Sequence, residues 1–134
     1  MLRGDFGQSF VELALVLPLL LTIVFGITEF GVVITDQETL NHAAEDGARY
    51  GARGDNATNL AAAQSETSSY LSDLLHCPSP SVSVTYDEGI PDFVTVTVSC
   101  TYSPITPLGT VVSLLGSTVN TTPTLSATSI MRVQ

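Results

Sequence analysis

The sequence predicts an α+β fold: a long N-terminal helix, a second helix and a three-stranded antiparallel sheet. Three observations predict it. From Leu13 to Thr28 no residue carries a charge, and a glutamate stands at each end of the run. Small residues then recur at helical spacing as far as Ala52. From Ser81 onward the pattern changes to alternation of valines with hydroxyl residues, which is the period of a half-buried strand.

The first helix is expected over residues 8–52, with a membrane-spanning part from about residue 10 to 34. Glu12 and Glu29 are 17 residues apart, which on a helix is roughly 25 Å. A bilayer's hydrocarbon core is about 30 Å thick. The two acids can therefore sit at opposite interfaces with only uncharged residues between them. A secretory signal peptide is the rival for this segment, but no small-x-small cleavage site follows it and the helical pattern continues into residues 32–53. Pro18 removes one backbone hydrogen bond within the run. It reads either as a simple kink or as a point where the helix loosens on leaving a membrane.

Beyond the apolar run, two rows of small residues lie on the helix, Ala43-Gly47-Gly51 and Ala44-Ala48-Ala52. Residues four apart lie above one another, and small ones let a second backbone approach closely. Their partner is either the protein's own sheet or another subunit. Packing against the valine face of the sheet is the expected use, because that face needs an apolar surface. Glu45 and Arg49 add a favourable pair, acid first.

A break follows at residues 53–56, where Asp55 or Asn56 caps a second helix of about residues 57–75. Its apolar side is expected at Leu60, Gln64, Tyr70, Leu71, Leu74 and Leu75. Cys77-Pro78-Ser79-Pro80 ends it. Val82, Val84 and Tyr86 share one face of a first strand, and Val94, Val96, Val98 and Cys100 share one face of a second, joined by a polar turn as a hairpin. A Pro-rich crossover and a short apolar helix or turn at residues 111–115 lead to a third strand over residues 125–133. Residues 53–134 are thus expected to form a globular head packed on the C-terminal half of the first helix.

The two cysteines, Cys77 and Cys100, read as one disulfide beyond a membrane segment. Cys100 shares the valine face, and Cys77 should lie beneath it at the end of the second helix. A metal site is not expected, since His76 and Cys77 are adjacent and the spacings do not suit tetrahedral zinc. Net charge is −9, with four arginines and no lysine. This argues against nucleic acid as a partner. Arg3 and the amino terminus, offset by Asp5, precede the apolar run, whereas Asp36, Glu38, Glu45 and Asp46 follow it before any arginine, which favours a cytoplasmic N-terminus and an extracytoplasmic head. No catalytic constellation stands out, no glycine-rich phosphate loop follows a strand, and no cofactor is expected. Asn56-Ala57-Thr58 and Asn120-Thr121-Thr122 fit the glycosylation sequon.

The segment Gly7-Gln8-Ser9-Phe10-Val11-Glu12, followed by an apolar helix, resembles the processing site of type IV pilin-like proteins. The longer stretch from Gln8 to Gly31 is similar to the TadE family, minor pilins of the tight-adherence pilus. So are Ala43 to Ala52 and the final segment Leu125 to Arg132. Leu13 stands where that family usually has phenylalanine, and the leader holds one arginine, Arg3, with Asp5 close by. The resemblance implies a pilin-like fold and no enzymatic activity. It implies a leader of residues 1–7, with Gly7 before the bond cut by a prepilin peptidase and Gln8 as the new N-terminus. Glu12 would help dock each subunit, and Pro18 would lie in the segment that leaves the membrane on assembly. The implied partners are other pilin subunits, the peptidase, platform proteins and, before assembly, membrane lipid. The implied location is the inner membrane and then a surface pilus that serves attachment. The alternative is a permanently anchored single-pass component of an envelope or secretion complex that never polymerises.

Overall fold

A computed structural model describes residues 3–53, 57–74, 76–89, 92–118 and 122–133. Asn56 and Asn120 of the two sequons, and the proposed caps of the second helix, lie outside the described residues. The elements run α1 (Arg3–Gly51), α2 (Ala57–Leu74), β1 (Ser81–Asp87), β2 (Phe93–Thr101), α3 (Leu108–Leu114) and β3 (Thr124–Arg132). The strands form one antiparallel sheet in the order β1-β2-β3. The class is α+β, as the sequence predicts. Helix α1 starts before Gly7 and continues without a break through Pro18.

The chain groups into two compact units. One comprises Met1–Val32 with Pro104–Thr121, and the other Val33–Ser103 with Thr122–Gln134. In the larger unit the sheet buries its apolar residues on one face, while Phe93 and Ile130 are exposed on the other. Val94, Val96, Val98 and Cys100 of β2 are buried, flanked by Leu125 and Ala127 of β3. The register sets Val96 against Val84 on one side and Ser129 on the other. Alternation puts most of the hydroxyl residues, though not Ser129, on the opposite face. There Ser81 and Ser99 share a hydrogen bond of 2.8 Å and Thr97 and Thr128 one of 3.2 Å.

Both helices of this unit are fastened to the sheet by a glutamine. Gln37 Nε2 of α1 donates to Ser126 O at 2.8 Å, and Gln64 Nε2 of α2 donates to Val82 O at 3.1 Å. The small rows of α1 are buried, with Ala43, Ala44, Gly47, Ala48 and Gly51 all inside. A Cβ built on Gly47 would collide with the Thr67 hydroxyl and lie 3.4 Å from Val96 Cγ1. One built on Gly51 would lie 3.0 Å from Val94 Cγ1 and 3.7 Å from Ala63 Cβ. The absence of a side chain at these two positions therefore sets how closely α1 approaches both α2 and β2.

The inward face of α2 matches the expected one at Leu71 and differs elsewhere, and the side chains of Leu74 and Leu75 lie outside the described residues. Ala63, Thr67 and Leu71 are buried, while Gln64 and Tyr70 are exposed and Leu60 is half-covered. The close approach explains the difference at the crossing, because a helix lying against Gly47 and Gly51 presents small residues there, Ala63 and Thr67. Thr67 meets the polar requirement of burial by donating to Ala63 O at 2.7 Å. Cys77 and Cys100 form a disulfide, with their Cα atoms 5.8 Å apart.

Candidate functional site: the N-terminal segment of the long helix

The residues singled out for processing and docking lie on consecutive turns of α1. Gly7 is helical, and nothing comes within 4 Å of where its Cβ would be. One turn separates Gln8 from Glu12, and Gln8 Nε2 donates to Glu12 Oε1 at 3.2 Å. Both are exposed. This pair begins a stretch in which Phe10, Leu13, Leu15, Leu19, Ile23 and Ile27 are exposed. Such a length of apolar surface is unfavourable in water and fits a hydrocarbon environment. The helix is long and apolar enough to cross a membrane, and none of its most apolar window is buried within the chain.

The polar residues within the run satisfy themselves. Thr22 Oγ1 donates to Pro18 O at 2.8 Å, and Thr28 Oγ1 to Val24 O at 2.9 Å. Internal satisfaction of this kind is what a helix in lipid requires. Pro18 is half-buried and leaves α1 unbroken.

Two acids carry contacts that the sequence alone does not reveal. Glu29 is buried, and its Oε1 accepts from both the backbone N–H and the hydroxyl of Thr106, each at 2.6 Å. Asp36 is buried too, with Oδ1 3.9 Å from His76 Nδ1 and Oδ2 without a hydrogen-bond partner. Burial raises the Asp36 pKa above the ordinary carboxylate value, and His76 opposes the shift. The available signal is spacing. Positions 29, 36, 40, 44 and 47 fall on one helical stripe, so both acids belong to the same side as the small residues.

Among the described residues no group of three or more histidines, cysteines or acids is placed to hold a metal. The small-residue crossing of α1 and α2 leaves a shallow groove lined by Asp46, Tyr50, Glu66 and Tyr70. The class is thus an α+β protein with one N-terminal helix suited to a single membrane span. Residues 7–49 match the family described as TadE-like protein, about a third of the chain and wholly within α1. The match is a local similarity to that family, and residues 50–134 lie outside it. No curated protein and no solved structure matches the chain.

Proposed function

We propose that this chain is a pilin-like structural subunit, held in the membrane by α1, processed between Gly7 and Gln8, and assembled into a tight-adherence type IV pilus for surface attachment. The observation that carries the reading is the TadE-like match across residues 7–49, laid on a continuous helix whose apolar side chains are exposed where the match begins.

The chemistry of Glu12 supports it. A carboxylate entering an apolar bundle is unfavourable unless it is paired. Cleavage after Gly7 creates an ammonium group on Gln8, four residues and one helical turn from Glu12. That ammonium, from the same or a neighbouring subunit, neutralises the acid as lipid is exchanged for other helices. The subunit's partners are then other pilins, the prepilin peptidase and membrane platform proteins, with its head on the extracytoplasmic side.

Mass spectrometry of the protein from sheared surface filaments tests the proposal. A mature chain beginning at Gln8 is expected, and replacing Gly7 with a bulky residue should leave the precursor uncut. Filament protein beginning at Met1 overturns the processing step. Protein found only in membranes, never in filaments, overturns assembly and leaves the permanent anchor.

A further inference from the structure

The smaller compact unit pairs the apolar half of α1 with residues 104–121. This crossover has an unusual composition. In a chain of net charge −9, no charged residue occurs between Phe93 and Met131. Its short helix, α3, turns Val112 inward and Leu114 outward. Two residues on a helix are roughly 200° apart, which sets these on opposite sides. Leu114 is 81% exposed, more than any other large apolar side chain described, and Leu115 and Ile105 are 51% and 47% exposed.

Several polar groups of the same segment are bonded within the molecule, although Thr110, Ser113 and Ser117 are exposed. Ser113 Oγ donates to Thr110 O at 2.7 Å. Val111 N–H donates to Pro107 O, and Gly116 and Ser117 N–H close the helix end onto Ser113 O and Val112 O. Gly116 has φ +80°, the left-handed conformation that this type of helix end uses. Thr106 spends both its N–H and its hydroxyl on Glu29, the acid that terminates the uncharged run of α1. Outward apolar side chains, no charge and a backbone bonded within the segment suit the interfacial layer of a bilayer, where exposed hydroxyls still meet headgroups and water.

We propose that residues 104–118 form a second, shallow membrane contact, in which Ile105, Leu114 and Leu115 enter the interfacial layer of the bilayer beside α1, held there by the Glu29–Thr106 hydrogen bonds. The inference rests on reading α1 as a membrane span. The lipid contact is continuous with that of α1, because both segments belong to one compact unit. The hydrogen bonds also give the Glu29 carboxylate two donors at the depth where the apolar run ends. A crossover seated in this way limits rotation of α1 about its own axis, and it must leave lipid when the helix does.

The chain contains no tryptophan, so single substitutions supply clean reporters. The full chain is reconstituted in phosphatidylcholine vesicles without bromine, or with bromine at a shallow position for Leu114→Trp and Tyr70→Trp and at a deep acyl position for Leu20→Trp. Leu20 marks the span and Tyr70 an exposed site on α2. Leu114→Trp is expected to emit at shorter wavelength than Tyr70→Trp and to lose most of its emission in brominated vesicles, while Tyr70→Trp is unaffected. Quenching of Leu20→Trp without quenching of Leu114→Trp overturns the shallow contact and leaves the span intact. A blue-shifted Leu114→Trp that brominated lipid does not quench means that protein, such as a second copy, covers the site, and it overturns the proposal equally. Lack of quenching at Leu20→Trp overturns the span and the inference together.

Discussion

Helix α1 is one hydrogen-bonded rod, yet its two halves obey different packing rules. From Phe10 to Ile27 it carries large side chains, and Phe10, Leu15 and Ile27 are each at least 70% exposed. From Ala43 to Gly51 its buried side carries small ones, and Ala44 and Ala48 are at most 1% exposed. Side-chain size therefore tracks where the partner lies. Large apolar groups cover the half whose surroundings lie outside the chain. Small groups cover the half that the chain's own α2 and β2 must approach to within van der Waals contact. A perturbation of the first half should change where the protein goes, and one of the second half should change how stably it folds.

The largest effect is expected from Glu12→Ala, which acts only on the first half. Removing a charge eases insertion into a membrane, so insertion should be retained. If Glu12 pairs with an ammonium during docking, the variant should be processed, present in membranes and absent from sheared filaments, as immunoblots of the two fractions would report. Normal incorporation would break the comparison at its exposed end.

In the larger unit, against which the other half packs, the disulfide is the one covalent cross-link. Cys77 and Cys100 are 23 residues apart in sequence. Closing a loop of that size stabilises by about 3 kcal/mol in the chain-entropy account. The double variant Cys77→Ser, Cys100→Ser should lose about that much in a denaturant titration, with membrane insertion unchanged. Altered insertion at normal stability would erase the distinction between the halves.

Gly47→Leu sharpens the contrast. Even a Cβ at this position meets the Thr67 hydroxyl, and overpacking a core contact typically costs about 1–3 kcal/mol. A lowered melting temperature is expected, and combining Gly47→Ala with Thr67→Ala should recover part of the loss by removing the opposed atoms. An unchanged melt for Gly47→Leu would move the small rows to an interface between subunits. The same size of change at Gly26, where nothing lies within 4 Å of the Cβ position, should leave the melt unaffected.

Much of this division is legible in the residues. The uncharged run, the small rows and the alternation of β2 each follow from a period that a single line of sequence displays, and the strands fall within a residue or so of where that period puts them. The face of α2 is less legible. Gln64 and Tyr70 look apolar-compatible on a helical wheel, but the glycines of α1 select Ala63 and Thr67 instead. That selection is a property of two helices together, and no period within α2 encodes it. The tie from Glu29 to Thr106 spans 77 residues, and Asp36 reaches His76 across α2. Contacts at such separation depend on the completed packing, so the acids read in sequence as no more than charges flanking an apolar run.

Asp36 gives the smallest effect and the finest test, because it is a charged residue on the buried stripe of the second half. Its carboxyl titrates above the ordinary value, chiefly because burial penalises the ionised form, with the nearby His76 pulling the other way. A group whose folded-state pKa is raised binds its proton more tightly when folded. Its contribution to stability is therefore fully present below the unfolded-state pKa, near 3.8, and is lost as pH rises through the folded-state value. Asp36→Asn keeps the shape and removes the titration. The variant's melting temperature, relative to the parent chain, should rise as pH is taken from below 3.8 to neutrality, by the amount that ionising the buried acid had removed. The orphaned Oδ2 accounts for the gain on structural grounds, since among the described residues the charge forms its ion pair with His76 Nδ1 at 3.9 Å. A difference in melting temperature that stays flat with pH would show that Asp36 reaches water or a closer cation, and that the buried stripe of α1 ends at Leu40 and does not extend to Asp36.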